Sequence, residues 1–200
     1  MDKLGSDQRL DRRWVTKTLL ARREDALVIA GCGSTVWDCT AVGDGDLTFP
    51  LWNAMGSANM VGLGLALAQP ARPVLVITGD GELMMQLGCL ATIAAKQPKN
   101  LSIVVIDNEV YQETGGQPTH TQYGTSITGV ATACGFPATV LVTTEQETEA
   151  LAEAVYRCDR LLLAQVKVSL QTGPRVLPPR DGSYLKDRFR RALLGPAALE

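Results

Sequence analysis

The sequence has no basic excess: 19 Lys and Arg stand against 21 Asp and Glu in 200 residues, a net charge of −2. Nucleic-acid binding requires clustered Lys and Arg to neutralise phosphates, so that class is set aside. The short basic groups near the two ends, Ala21-Arg22-Arg23, Asp11-Arg12-Arg13 and Asp187-Arg188-Phe189-Arg190-Arg191, read as solvated helix faces. Paired cysteines are also missing. Cys32, Cys39, Cys89, Cys134 and Cys158 are odd in number and show no CxxC spacing. That excludes the usual zinc and iron–sulfur patterns and leaves buried, reduced thiols of a cytoplasmic protein. No apolar run reaches a membrane-spanning length without a glycine, proline or charge, and the polar N-terminus does not read as a signal peptide. Internal repeats and low-complexity tracts are absent. Histidine is nearly so, with His120 alone. A soluble chain without nucleic-acid or membrane partners is expected.

What is present is a 46% hydrophobic chain, enough for one domain with a real core. Helical spacing covers Asp7 to Arg23 (Leu10, Trp14, Leu19, Leu20), and Ala26–Ala30 reads as a short buried strand. Asp38–Phe49 reads as a loop, with Gly43-Asp44-Gly45-Asp46 as a surface turn. The small residues of Leu51–Leu67 predict a helix in close approach to a sheet or a neighbouring subunit. Pro73 then opens a strand over Val74–Thr78. A helix and a second strand follow, ending at Asp107-Asn108. Further on come a helix over Thr125–Cys134, a strand over Ala138–Val142 and a helix over Thr144–Arg157 that opens acidic. Leu161–Leu170 is an apolar strand interrupted by Gln165 and Lys167. A proline-rich linker, Gln171–Arg180, leads to an amphipathic helix over Gly182–Leu194. Alternating strands and helices predict an α/β fold: an open, mainly parallel sheet with helices on both faces. The division is an N-terminal helix (1–24), a central domain (25–171), and a linker with a C-terminal helix (172–200).

The central stretch, Val74 to Gln117, carries the chemistry. Thr78-Gly79-Asp80-Gly81-Glu82 leaves a buried strand and opens a helix, where glycine lets backbone N–H groups reach a phosphate. A right-handed crossover puts the ends of two parallel strands on one edge, so Asp80 and Asn108 meet despite lying about 28 positions apart. One hard anionic oxygen and one neutral carbonyl oxygen, completed by water and phosphate, suit octahedral Mg²⁺. Singly, Asp80 reads as a helix cap and Asn108 as a turn residue; the pair points to a magnesium-diphosphate ligand. The earlier Gly31-Cys32-Gly33-Ser34 turn could also approach an anion, but Val36 stands where a dinucleotide fingerprint needs its third glycine.

Gly-Asp-Gly, about 25 residues and then Asp107-Asn108 together resemble the thiamine diphosphate (ThDP) signature of the diphosphate-binding domain in 2-oxo acid decarboxylases and acetolactate-synthase-like enzymes. The family often has Asn-Asn where this chain has Asp107-Asn108. The resemblance implies Asp80 and Asn108 as side-chain metal ligands and the Val110 carbonyl as a third. It implies that Gly79, Gly81 and Glu82 serve the diphosphate, with the Gly33-Ser34 turn as the family's first diphosphate-side loop. Leu51–Ala58 is similar to the family segment whose apolar residue bends the cofactor. Met55 would be that wedge, and the Asn53 carbonyl, where the family usually has Gly, would receive the aminopyrimidine amine. Without the first motif, Met55 would read as a core methionine. The run Asp107–Thr121 resembles the small subunits of sulfopyruvate and phosphonopyruvate decarboxylases. Tyr111 (also in cofactor reach), Gln112, Gln117 and His120 are the substrate-facing candidates that follow. His120 is read equally as a proton relay or a surface histidine.

The family's activating glutamate comes from a separate pyrimidine-binding domain, for which 200 residues leave no room. The resemblance therefore implies the diphosphate/Mg²⁺ subunit of a ThDP-dependent lyase, inactive alone. It would act on a small 2-oxo acid with a pyrimidine-domain partner that carries the catalytic Glu, as α2β2 or larger. The alternatives are a carboligase or 2-oxo acid oxidoreductase subunit, an NAD(P)-binding oxidoreductase, and a non-catalytic cofactor domain that binds a partner.

Overall fold

A computed structural model describes residues 9–171 and 173–199. The chain runs α1 (Arg12–Leu20), β1 (Leu27–Ala30), α2 (Ser34–Val42), β2 (Thr48–Pro50), α3 (Ala58–Ala68), β3 (Val74–Gly79), α4 (Asp80–Met85), α5 (Cys89–Lys96) and β4 (Leu101–Asp107). A small hairpin follows, β5 (Val110–Tyr111) with β6 (Gln117–Pro118), then α6 (Ile127–Cys134), β7 (Ala138–Val142), α7 (Glu145–Ala154), β8 (Leu162–Lys167) and α8 (Gly182–Leu194). Six strands form one sheet in the order β2-β1-β3-β4-β8-β7, every neighbouring pair parallel. Helices cover both faces, as the alternation predicts. Along β3, Val74 and Val76 belong to the core on one side, with Leu63 and Leu90. Leu75 and Ile77 meet Val15, Val36 and Leu151 on the other. Burial on both faces is why β3 and β4 are unbroken Val/Ile/Leu runs rather than alternating ones.

Several sequence expectations shift. The first helix starts at Arg12, capped by the Asp11 carboxylate, which accepts from Trp14 N; Asp7 and Gln8 lie outside the described residues. The loop expected over Asp38–Phe49 is helix to Val42, then turn, then edge strand. Asp38 belongs to that helix because its buried carboxylate is held by Arg12 and Arg13 of α1. The helix expected from Leu51 begins only at Ala58, since Asn53 and Gly56 sit at φ 53° and 80°, outside helical space. Gly62 explains the small residues that follow: a Cβ there would lie 2.2 Å from Val76 Cγ2. The single helix expected after Gly81 is two, broken over Gln86–Gly88. The last strand of the sheet stops at Lys167, beyond which Val168 bridges to Leu10.

The basic groups are not simply solvated. Arg12 is 2% exposed and bound to Asp38, and Arg188 grips Asp44 through two bonds of 2.7 and 2.8 Å. Arginine stems pack on apolar surface while the heads find carboxylates. Nor are all thiols buried: Cys39 and Cys89 are, Cys32 and Cys134 are half-buried, and Cys158 is exposed. No helix among the described residues is long and apolar enough to cross a membrane.

Candidate functional site

The sheet reverses its winding between β1 and β3. The chain leaves β1 into α2 on one face and leaves β3 into α4 on the other. Such a switch point opens a crevice at the carboxyl ends of the strands. An open cleft of about 110 Å³ lies there, floored by Cys32–Ser34 after β1, Gly79–Glu82 after β3, and Ile106 and Asn108 at the end of β4. The β3–β4 register sets Gly79 beside Ile106, so Asp80 emerges level with Asp107, one residue before Asn108, and Asp80 and Asn108 line the same cleft.

Asp80 is 2% exposed. Its Oδ2 accepts from the hydroxyls of Thr119 and, at 3.1 Å, Thr121. Burial first, and the nearby charge of Asp107 second, push its carboxyl up to about 7, against the pull of both hydroxyls. Its negative charge is therefore held at a cost that a cation would relieve. Asn108 Oδ1 accepts from Val110 N at 3.1 Å, closing a local turn that leaves one lone pair over. Its Nδ2 donates to Gln112 Oε1 at 3.3 Å, which also takes Arg12 Nη1 at 3.0 Å, while Gln112 Nε2 donates to the Leu170 carbonyl at 3.1 Å. Gln112 thus braces Asn108 with its amide fully engaged. Between Asn108 and Val110, Glu109 stands at φ 66°, a left-handed conformation that costs a non-glycine residue roughly 1 kcal/mol. Its carboxylate is fastened to Lys167 and Arg9, both at 2.8 Å. Burial works against its charge, but these two cations hold its carboxyl below the ordinary range.

The glycines divide the labour. A Cβ on Gly79 would meet nothing within 4 Å, so the cleft is open toward that backbone. A Cβ on Gly81 would strike the Tyr111 ring at 2.5 Å, so this glycine seats Tyr111 over the start of α4. Gly33, at φ 84°, faces the Glu113 side chain. The Glu82 side chain turns inward beneath the turn, where Thr78 donates to it at 2.7 Å and its Oε1 has no partner. Burial raises its carboxyl above the ordinary range, opposed chiefly by Thr78.

The structure brings Gly33, Ser34, Met55, Gly79, Asp80, Gly81, Glu82, Asn108, Val110, Tyr111 and Gln112 to one cleft. Asn53 is exposed and outside the lining, although its left-handed φ accounts for glycine being usual there. Gln117 and His120 are exposed and do not line the cleft, and the Gln117 amide bonds back to Thr114. The residues beside His120 are the ones that turn inward: Thr119 and Thr121 are buried on Asp80. Nothing in the run Thr119-His120-Thr121 distinguishes the two inward hydroxyls by sequence, since all three residues are polar. Glu113, Cys32 and Met85 also line the cleft: Cys32 and Glu113 lie within stretches singled out in the sequence but are not named there as site residues, and Met85 lies at the end of α4. Among the described residues there is no group of three or more His, Cys, Asp or Glu placed to hold a metal ion.

Residues 31–166 match the family model described as "Thiamine pyrophosphate enzyme, C-terminal TPP binding domain". The chain is 42% identical over 132 residues to phosphonopyruvate decarboxylase of Streptomyces viridochromogenes, covering 66% of this chain but 33% of that protein. It thus spans about a third of that relative's length. To the sulfopyruvate decarboxylase subunit beta of Methanocaldococcus jannaschii it is 31% identical over 172 residues, 85% of this chain and 89% of that one. Among solved structures, the thiamine diphosphate-dependent 4-hydroxybenzoylformate decarboxylase of Rhodococcus jostii RHA1 superposes with a TM-score of 0.67 at 18% identity. That match covers 86% of this chain and 34% of the other, and establishes a shared fold.

Proposed function

The chain belongs to the family of thiamine pyrophosphate enzyme C-terminal, TPP-binding domains, and from that membership we propose that it is the diphosphate- and Mg²⁺-binding subunit of a ThDP-dependent 2-oxo acid decarboxylase. The observation that carries the reading is Asp80 and Asn108 lining one cleft at the ends of adjacent strands, Asp80 buried and, among the described residues, without an ion-pair partner. These residues fit the group. Asp80 offers an anionic oxygen, Asn108 a carbonyl with a spare lone pair and Val110 its main-chain carbonyl, while open space over Gly79 admits phosphate oxygens. Gly33 and Ser34 would meet the diphosphate from the β1 side. Met55, 58% exposed at the cleft wall, would support the bend of the cofactor, with Asn53 positioning its own carbonyl through its left-handed turn. In this reading residues 25–171 form the cofactor-binding body, flanked by 1–24 and 172–200.

When bound, thiamine diphosphate supplies a carbon nucleophile and an electron sink for loss of CO₂ from a 2-oxo acid. This chain's part is to hold and orient: the metal ligands fix the tail, Gln112 and Arg12 hold Asn108 in place, and Tyr111 closes the cleft over Gly81. Two features support a partner chain. The cleft is half open to solvent rather than closed around a ligand, as half of a shared site would be. Met55, Met60, Leu67 and Met85 leave exposed apolar surface beside the cleft and along α3. The partner would bring the pyrimidine-domain glutamate, in an α2β2 or larger assembly. The relatives' names point to a small anionic 2-oxo acid of the phosphonopyruvate or sulfopyruvate kind.

Calorimetric titration of the full chain with ThDP, with and without Mg²⁺, tests the reading, with NAD(P) as the control. Magnesium-dependent ThDP binding is expected, none to NAD(P), and CO₂ release from 2-oxo acids only after a pyrimidine-domain chain is added. Absence of ThDP binding with and without Mg²⁺, by the chain alone and again after the pyrimidine-domain chain is added, overturns the cofactor assignment. Ordinary turnover by this chain alone overturns the subunit assignment.

A further inference from the structure

Behind the cleft, a buried polar assembly joins Asp80 to the neighbouring strand β8. Thr121 Oγ1 lies 3.1 Å from Asp80 Oδ2, 2.8 Å from Asp107 Oδ1 and 2.9 Å from Thr119 Oγ1. Asp107 is fully buried, and the β4–β8 register sets it opposite Lys167. Its Oδ2 takes Gln165 Nε2 and Lys167 Nζ, both at 2.6 Å, and its Oδ1 takes Glu109 N at 3.1 Å besides Thr121. Three N–H groups converge on this one side chain together with the Thr121 hydroxyl, whose single proton is shared between Asp107 Oδ1 and Asp80 Oδ2. A carboxylate accepts all three N–H groups, whereas an asparagine would have to turn its NH₂ against at least one of them. The charge is tolerable because Lys167 compensates it in place. The same contacts account for two polar residues inside an otherwise apolar strand, and for Asp where an asparagine often stands.

We propose that Asp107, acting through Thr121 and compensated by Lys167, is a positioning residue that aims Asp80 at the divalent cation. The inference rests on the assignment of Asp80 as a metal ligand. Both threonine hydroxyls converge on Asp80 Oδ2 and neither reaches Oδ1, so the carboxylate is fixed by one oxygen and presents the other. Asp107 in turn fixes Thr121, and the side chains of Gln165 and Lys167 fix Asp107, so the orientation of the ligand is set from β8. Supporting contacts of this kind tune metal affinity without touching the metal.

Mg²⁺ titration of the full chain at saturating ThDP, followed by tryptophan fluorescence, tests this. Thr121→Val is expected to weaken Mg²⁺ binding about 10- to 100-fold, with circular dichroism unchanged, and Thr121→Ser to restore it to within about threefold. Glu109→Gln is the control for the Lys167 contact to the Asn108–Val110 turn. Lys167→Met, on the half-buried end of β8, removes the compensation without altering either threonine, and the same direction of change is expected beyond that control. It decides the matter if Thr121→Val does not fold. Wild-type Mg²⁺ affinity in a folded Thr121→Val, or in Lys167→Met an affinity no lower than that of the control, overturns the positioning role. Failure of the wild-type chain to bind Mg²⁺ with ThDP, or undiminished binding by Asp80→Ala, instead sinks the assignment of Asp80 on which the inference depends.

Discussion

The chain contains Gly-Asp-Gly twice, and the two copies do different work. Gly79-Asp80-Gly81 closes a buried central strand and opens a helix, and its aspartate is 2% exposed. Gly43-Asp44-Gly45 links α2 to the edge strand β2. Its aspartate lies at the surface and is gripped by Arg188 of α8, 144 positions away. Identical tripeptides thus become a charge kept away from counter-ions in a cleft and a clasp for the C-terminal helix. The difference lies in the neighbours. One copy ends a strand flanked on both sides at a winding reversal, whereas the other ends a helix at the rim of the sheet.

The sharpest way to break the comparison is to remove each carboxylate. Asp80→Ala is expected to weaken Mg²⁺–ThDP binding at least about 100-fold, whereas Asp44→Ala leaves binding within about twofold. Asp44→Ala should instead cost roughly 1–2 kcal/mol of stability, because the 9%-exposed Arg188 head loses its two bonds to Asp44 and keeps only the longer contacts to Thr48 and Asp46. Titration calorimetry and urea denaturation of both variants separate the two effects, and equal loss of binding would erase the distinction. Next come the closing glycines. Gly81→Ala drives a Cβ into the Tyr111 ring and should cost about 1–3 kcal/mol. Gly45→Ala meets only Arg23 Nη1 at 3.6 Å and should stay within about 0.5 kcal/mol.

A pH series sharpens the contrast from the central copy alone. The carboxyl of Asp80, at about 7 in the folded protein, lies above an unfolded aspartate at about 3.9. Between those values the folded state binds more protons, so the contribution of Asp80 to metal-free stability is full below the lower value. It is lost as pH rises through the higher one. Metal requires the carboxylate, so the rise in Tm produced by Mg²⁺ and ThDP should be larger at pH 8 than at pH 5.5. A rise that is flat or reversed across that range contradicts the assignment. The smallest effect belongs to the wedge loop. Asn53→Gly removes a left-handed non-glycine residue and should change stability by only a few tenths of a kcal/mol, read by thermal denaturation.

Much of this was legible in the sequence, because the strongest signals were local. Unbroken apolar runs gave β3 and β4, Gly-Asp-Gly gave the turn between β3 and α4, and parallel-strand geometry brought Asp80 to Asn108. Asp38 was hidden because its role depends on Arg12, 26 positions earlier. The break after Met85 was hidden because Gly88 alone does not end a helix. Thr119 and Thr121 were hidden because hydroxyls advertise nothing until a carboxylate is placed against them. Gln165 and Lys167 looked like interruptions for the same reason: their partner, Asp107, lies on another strand.

The two rims of the sheet meet unfolding stress unequally. At one rim β2 has three residues, ends in Pro50, and lies under α8, with Phe189 tilted against Phe49 at 5.5 Å. A foreign strand finds few free amides there. At the other rim β7 is Ala138-Thr139-Val140-Leu141-Val142, with neither charge nor proline and with Leu141 49% exposed. That run has the composition of segments that template intermolecular sheets. Self-association during refolding or concentration should therefore begin at β7, and a lysine placed at Leu141 would act as its gatekeeper.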